Sequence, residues 1–141
     1  MNKTSILKAI GLLTFCIPLF ASCIPQDAIP PQPEENPLYL SSDAQTVTIK
    51  VEYLSSISAE DPERDKEILN METEPHWKKV ENEWISFYLE HIYSYTKSKI
   101  IITVQKNDTG QERRYKLNLH GHVSNSIWTV IQEPKYPIDD V

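Results

Sequence analysis

The chain has almost no sulfur chemistry to offer. Its two cysteines, Cys16 and Cys23, lie near the start, and nothing after Cys23 carries a thiol. The bulk of the chain therefore folds without an internal disulfide, and cysteine metal sites and nucleophiles are excluded from it. Glycine is nearly as scarce, with Gly11, Gly110 and Gly121 as the three in the chain. That supply does not build a phosphate-cradling Gly-rich loop or the Gly-x-Ser-x-Gly elbow of a serine hydrolase. Long apolar runs are missing as well. The longest, Ala9 to Ala21, falls short of the ~20 residues that cross a bilayer as a helix. Basic residues are outnumbered, 14 Lys and Arg against 20 Asp and Glu. No basic stripe is available for nucleic acid.

That apolar run has the form of an export leader. Lys3 and Lys8 precede it, and Leu19-Phe20-Ala21-Ser22-Cys23 closes it. A positive start, an apolar stretch of ~7–15 residues and small residues before the cut define a signal peptide. Cysteine at the next position marks a bacterial lipoprotein. On this reading residues 1–22 are removed and Cys23 carries lipid. A diacylglyceryl group and a third acyl chain on one cysteine anchor a protein durably, which one chain does not. Cleavage nearby with Cys23 a free thiol is the alternative. The expected location is the outer membrane, lipid-anchored, with the periplasmic and the surface face both open. The leader carries two of the 14 basic residues and none of the 20 acidic ones, so the remainder has 12 against 20, a net −8. Electrostatic attraction to anionic lipid is excluded, and membrane contact is expected through Cys23 alone.

Residues 24–37 hold five prolines. Such a segment favours extended polyproline II and acts as a semi-rigid spacer. The lipidated cysteine and spacer are thus expected over 23–37, a folded domain over 38–134 and a tail over 135–141. In that domain the apolar period is two. Val47, Ile49 and Val51 alternate with Thr46, Thr48 and Lys50. Ile85, Phe87 and Leu89 alternate with Ser86, Tyr88 and Glu90, and Ile100, Ile102 and Val104 with Ile101 and Thr103. Tyr115, Leu117 and Leu119 follow, and Ile127 to Ile131 ends the series. Asn107-Asp108-Thr109-Gly110 predicts a hairpin turn, and Gly121 with Ser124-Asn125-Ser126 predicts another. Several short alternating strands predict an all-β antiparallel sandwich. One acidic stretch, 55–76, breaks the pattern. Asp61-Pro62 has the form of a helix cap followed by proline, and Ile68, Leu69 and Met71 would line one side of a helix of about two turns.

The ordered set Trp77, Val80, Glu83-Trp84-Ile85-Ser86, Ile100 to Val104, Asn107-Asp108-Thr109-Gly110, Arg113-Arg114 and Ile127 to Gln132 resembles the BACON domain family. These are immunoglobulin-like modules common in lipoproteins and glycan-active enzymes of gut Bacteroidetes. The likeness covers about residues 38–133. It implies an immunoglobulin-like β-sandwich and carbohydrate binding, without a shared set of sugar-binding residues to carry over.

Sugars stack their C–H faces on aromatic rings and hydrogen bond to polar side chains. Tyr88, Tyr93 and Tyr95, near His91, are candidates for such a platform. Trp128 and Trp84 join them if they face solvent, while Trp77 and Trp84 as core packing residues are the competing reading. His120-Gly121-His122, with His76 and His91 elsewhere, does not supply the three or four ligands zinc takes, so no metal or other cofactor is expected. A glycosidase needs two placed carboxylates in a cleft, and no such pair stands out. The expectation is a non-enzymatic, lipid-anchored envelope module that binds a glycan or glycoprotein weakly. A spacer or protein-interaction subunit of an envelope complex, without sugar affinity, is the alternative.

Overall fold

The computed structural model describes residues 29–90, 92 and 98–136. The leader, Cys23, His91, Tyr93 and Tyr95 lie outside the described residues. Among those described the fold is all-β, without a helix. Ten strands run β1 (Gln32–Pro33), β2 (Leu38–Leu40), β3 (Gln45–Glu52), β4 (Ser56–Ala59), β5 (Lys66–Asn70), β6 (Trp77–Glu81), β7 (Ile85–Glu90), β8 (Ser98–Val104), β9 (Arg113–His120) and β10 (Asn125–Gln132). They form a six-stranded sheet, β1-β3-β8-β7-β6-β5, and a four-stranded sheet, β2-β10-β9-β4. All pairs are antiparallel except β2 with β10.

Alternation sets the two faces of each strand. In the larger sheet Val80, Phe87 and Ile102 stand in one cross-strand row, and each is fully buried. Leu117, Leu119, Trp128 and Val130 of the smaller sheet close the core from the other side. Three rings meet at its centre: Phe87 lies 5.1 Å from Tyr115 and 6.1 Å from Trp128, centroid to centroid. Trp128 is 0% exposed, and its indole N–H donates to the Glu35 carbonyl at 2.7 Å. A buried indole needs such a partner, and finding one here makes Trp128 a core residue. It has no face to offer a sugar, which corrects its candidacy as a solvent-facing platform residue.

The proline segment is not free of the domain. Pro33 pairs with Val51 in β1, on the sheet edge where proline costs no ladder bond. Ser126 Oγ donates to the Pro31 carbonyl at 2.7 Å. Asn36 donates its side-chain amide to the Ile127 carbonyl and accepts from the Thr129 N–H. From Pro31 to Asn36 the chain is thus part of the sandwich, ahead of the boundary expected at Leu38.

The acidic stretch forms β4 and β5 instead of a helix. Asp61 does cap a turn, accepting the Glu63 and Arg64 N–H groups on Oδ1, while the Asp65 N–H donates to its carbonyl. The turn stops there because Asp65 is drawn into the core. Its carboxylate accepts the Tyr115 hydroxyl at 2.7 Å and the Arg64 guanidinium at 2.9 and 3.1 Å. Lys66 to Asn70 then pair with β6. A two-turn helix is marginal in water, whereas an edge ladder satisfies the same backbone groups. The Asn107 to Gly110 turn also differs from expectation. It joins β8 to β9 across the two sheets and closes no hairpin. Asn107, fully buried, organises it by donating to the Gln111 and Glu133 carbonyls and accepting from Thr109. Gly110 holds φ +73°, the left-handed region. The turn at Gly121 does close the β9–β10 hairpin.

Candidate functional site

The outer face of the larger sheet carries two aromatic side chains in contact, Trp77 and Tyr88. Strand register places Ile68, Lys79, Tyr88, Ile101 and Thr48 in one outward row. Lys66, Glu81, Ser86, Thr103 and Thr46 form the next. Trp77, two residues before Lys79, shares this face, and its ring meets Tyr88 at 5.6 Å with a 38° tilt. The two half-buried rings make a continuous apolar step, extended by Ile101, which is 37% exposed. Partial burial raises the Tyr88 phenol pKa, helped by the nearby Glu90 charge. The hydroxyl therefore stays protonated and remains a hydrogen-bond donor at neutral pH.

A polar strip adjoins the rings. Lys79 Nζ and Glu81 Oε2 stand 2.7 Å apart, with the side chains 35% and 27% exposed. An open cleft of about 320 Å³ lies along this strip, lined by Lys79, Glu81, Asn82, Trp84, Ser86 and Thr103 among others. Asn82 shapes its end, since its Oδ1 accepts the Trp84 and Ile85 N–H groups and fixes the β6–β7 turn. Trp84 packs partly on the core, and the Arg113 guanidinium lies 5.6 Å over its ring. A larger recess, about 670 Å³, sits at the β1–β3 edge between Gln32, Lys50, Glu52 and Lys99. No aromatic ring lines it among the described residues.

Of the residues singled out from sequence, Tyr88 stands on this face, Trp128 is in the core and Trp84 borders the cleft. Tyr93, Tyr95 and Cys23 fall outside the described residues. Trp77, for which core packing and a surface position are both open in the sequence, is half-buried and is the partner of Tyr88. The signal was present in Trp77-Lys78-Lys79-Val80-Glu81: if Val80 points inward, Trp77, Lys79 and Glu81 point outward together. His120 and His76 have local partners. His120 Nε2 lies 2.6 Å from Ser58 Oγ, and His76 lies 3.2 Å from Glu74. No group of three or more His, Cys, Asp or Glu side chains converges for a metal among the described residues.

No protein-family model and no curated protein matches the chain. Solved structures similar to it include two from Bacteroides. One is a GH5 xyloglucanase from Bacteroides ovatus, in complex with a XXXG heptasaccharide, with 18% identity and a TM-score of 0.46 over 78% of this chain. The chain spans only 20% of that enzyme's length. The other is a protein from Bacteroides thetaiotaomicron solved by NMR, with 10% identity and a TM-score of 0.48 over 83% of this chain and 99% of that one.

Proposed function

We propose that this chain is a lipid-anchored, non-enzymatic module of the cell envelope, an immunoglobulin-like sandwich that binds glycans or glycoproteins weakly. The anchor is Cys23, on the leader pattern that precedes it, and the membrane is the outer membrane. The observation that carries the binding role is the Trp77–Tyr88 pair on the outer face of the larger sheet. Aromatic rings are costly to leave facing water, and a flat, amphipathic pair beside hydrogen-bonding groups suits a sugar ring. The face is open and has no enclosing wall, so affinity is expected near millimolar, about 4 kcal/mol.

Titration of the full chain in mild detergent with a panel of neutral and acidic oligosaccharides tests the reading. Trp77→Ala should weaken binding roughly 30-fold, the effect of a ~2 kcal/mol aromatic anchor, with the circular dichroism spectrum unchanged. Absence of binding to every member at millimolar concentration would instead support a spacer or protein-interaction subunit of an envelope complex.

A further inference from the structure

We propose that the Lys79–Glu81 pair reads a vicinal diol, so that the ligand class is a neutral glycan with a flat ring face and adjacent equatorial hydroxyls. The inference rests on the glycan-binding reading and adds the chemistry that selects among sugars. Lys79 stands directly opposite Tyr88, and Glu81 directly opposite Ser86. Trp77, Lys79 and Glu81 therefore follow one another on the outward face of one strand. Two residues along a strand span ~6.7 Å, so a ring lying on Tyr88 brings its edge to the ion pair.

The pair has complementary spare capacity. An ammonium has three donors and no acceptor, and a carboxylate has only acceptors. At 2.7 Å the two groups use one contact with each other and keep the rest. Neighbouring hydroxyl oxygens of a pyranose have a separation of the same order. One hydroxyl accepts from Lys79 while the next donates to Glu81, and both bonds are charge-assisted. Hydroxyls of Ser86 and Thr103, paired across β7 and β8, continue the strip for an adjoining unit. A carboxylated sugar fits less well, because it would have to compete with Glu81 for Lys79, and Glu90 stands directly opposite Trp77. Lys66 stands directly opposite Glu81 in β5.

The test is calorimetric titration of the full chain in detergent, with cellohexaose as the neutral probe, its hydroxyls all equatorial. An oligogalacturonate is the acidic probe. Glu81→Gln keeps size and shape and should cost about tenfold in cellohexaose affinity, as loss of a charge-assisted bond does. Lys79→Met should act similarly, and oligogalacturonate should bind wild type more weakly than cellohexaose. Circular dichroism and melting temperature establish that each variant is folded. If Trp77→Ala abolishes cellohexaose binding while Glu81→Gln and Lys79→Met bind as wild type, the diol reading is overturned and the ring platform stands. Equal or tighter binding of oligogalacturonate also overturns it. If no variant alters binding, or the wild type binds neither probe, the platform falls and the diol reading with it.

Discussion

Tyr115→Phe removes one buried hydroxyl and leaves the ring packed against Phe87. That hydroxyl donates to Asp65 Oδ2 at 2.7 Å, and Asp65 is only 4% exposed. A hydrogen bond to a charged group contributes about 1.5–3 kcal/mol. Asp65 keeps both Arg64 contacts in the variant, which places the expected loss near ~2 kcal/mol. For a domain of this size that lowers the melting temperature by about 8 °C.

The same pair sets a dependence on pH. The Arg64 hydrogen bond holds the Asp65 carboxyl below its ordinary value; burial opposes this, and the Tyr115 hydroxyl reinforces it. A depressed carboxylate contributes stability that is complete above the unfolded value, ~3.9, and lost as pH falls through the lower folded value. The gap between wild type and Tyr115→Phe should therefore be full at neutral pH and shrink below about pH 4. Urea unfolding in steps from neutral to about pH 3 measures it, with Asp65→Asn and the double variant completing a cycle. A gap below ~0.5 kcal/mol at neutral pH, or one that widens on acidification, refutes the assignment of Asp65 as a charged anchor of the β4–β5 segment.

Other perturbations have distinct signatures. Trp128→Phe should cost about 3 kcal/mol in urea unfolding, because it opens a cavity and strips the Glu35 carbonyl of its donor. Gly121→Ala should destabilise more than Gly110→Ala: a Cβ at Gly121 would lie 2.5 Å from the Ser124 carbonyl oxygen, whereas at Gly110 nothing lies within 4 Å. At Gly110 only the left-handed backbone resists, at about 1 kcal/mol, and thermal melts of the two variants rank them. Cys23→Ala should move the protein to the soluble fraction and remove the mass of the acyl chains, both read from fractionated cells by mass spectrometry.

The sandwich was legible in the sequence wherever burial is one-sided. The inward residues of β7, β8 and β9 were each identified by alternation alone, because a strand with one dry face must repeat every second residue. Legibility failed where the outcome depends on a distant partner. Asp61-Pro62 is a sound local helix signal, and it does cap a turn. What ends that turn is a hydroxyl 50 positions away on Tyr115, which no local pattern announces. Pro33 shows the same limit: proline is excluded from sheet interiors, but β1 is an edge strand, and its pairing with β3 depends on where the chain returns.

The candidate site turns on a difference that one residue of register makes. Trp77 and Trp128 are alike as letters, and either can fill a core or face a ligand. Val80 and Val130, both fully buried, decide between them. Trp77 is three positions from its inward valine and so points away from the core, while Trp128 is two positions from its own and points into it. Tyr88 lies one position from inward Phe87 and joins Trp77 outside. In β10, where Ile127 and Ile131 set apolar letters on the other parity, the inward side had to come from the structure, whereas the alternation around Tyr88 was readable before any coordinates. The pairing of β6 with β7 was not, and it is that pairing which turns two separate outward rings into one surface.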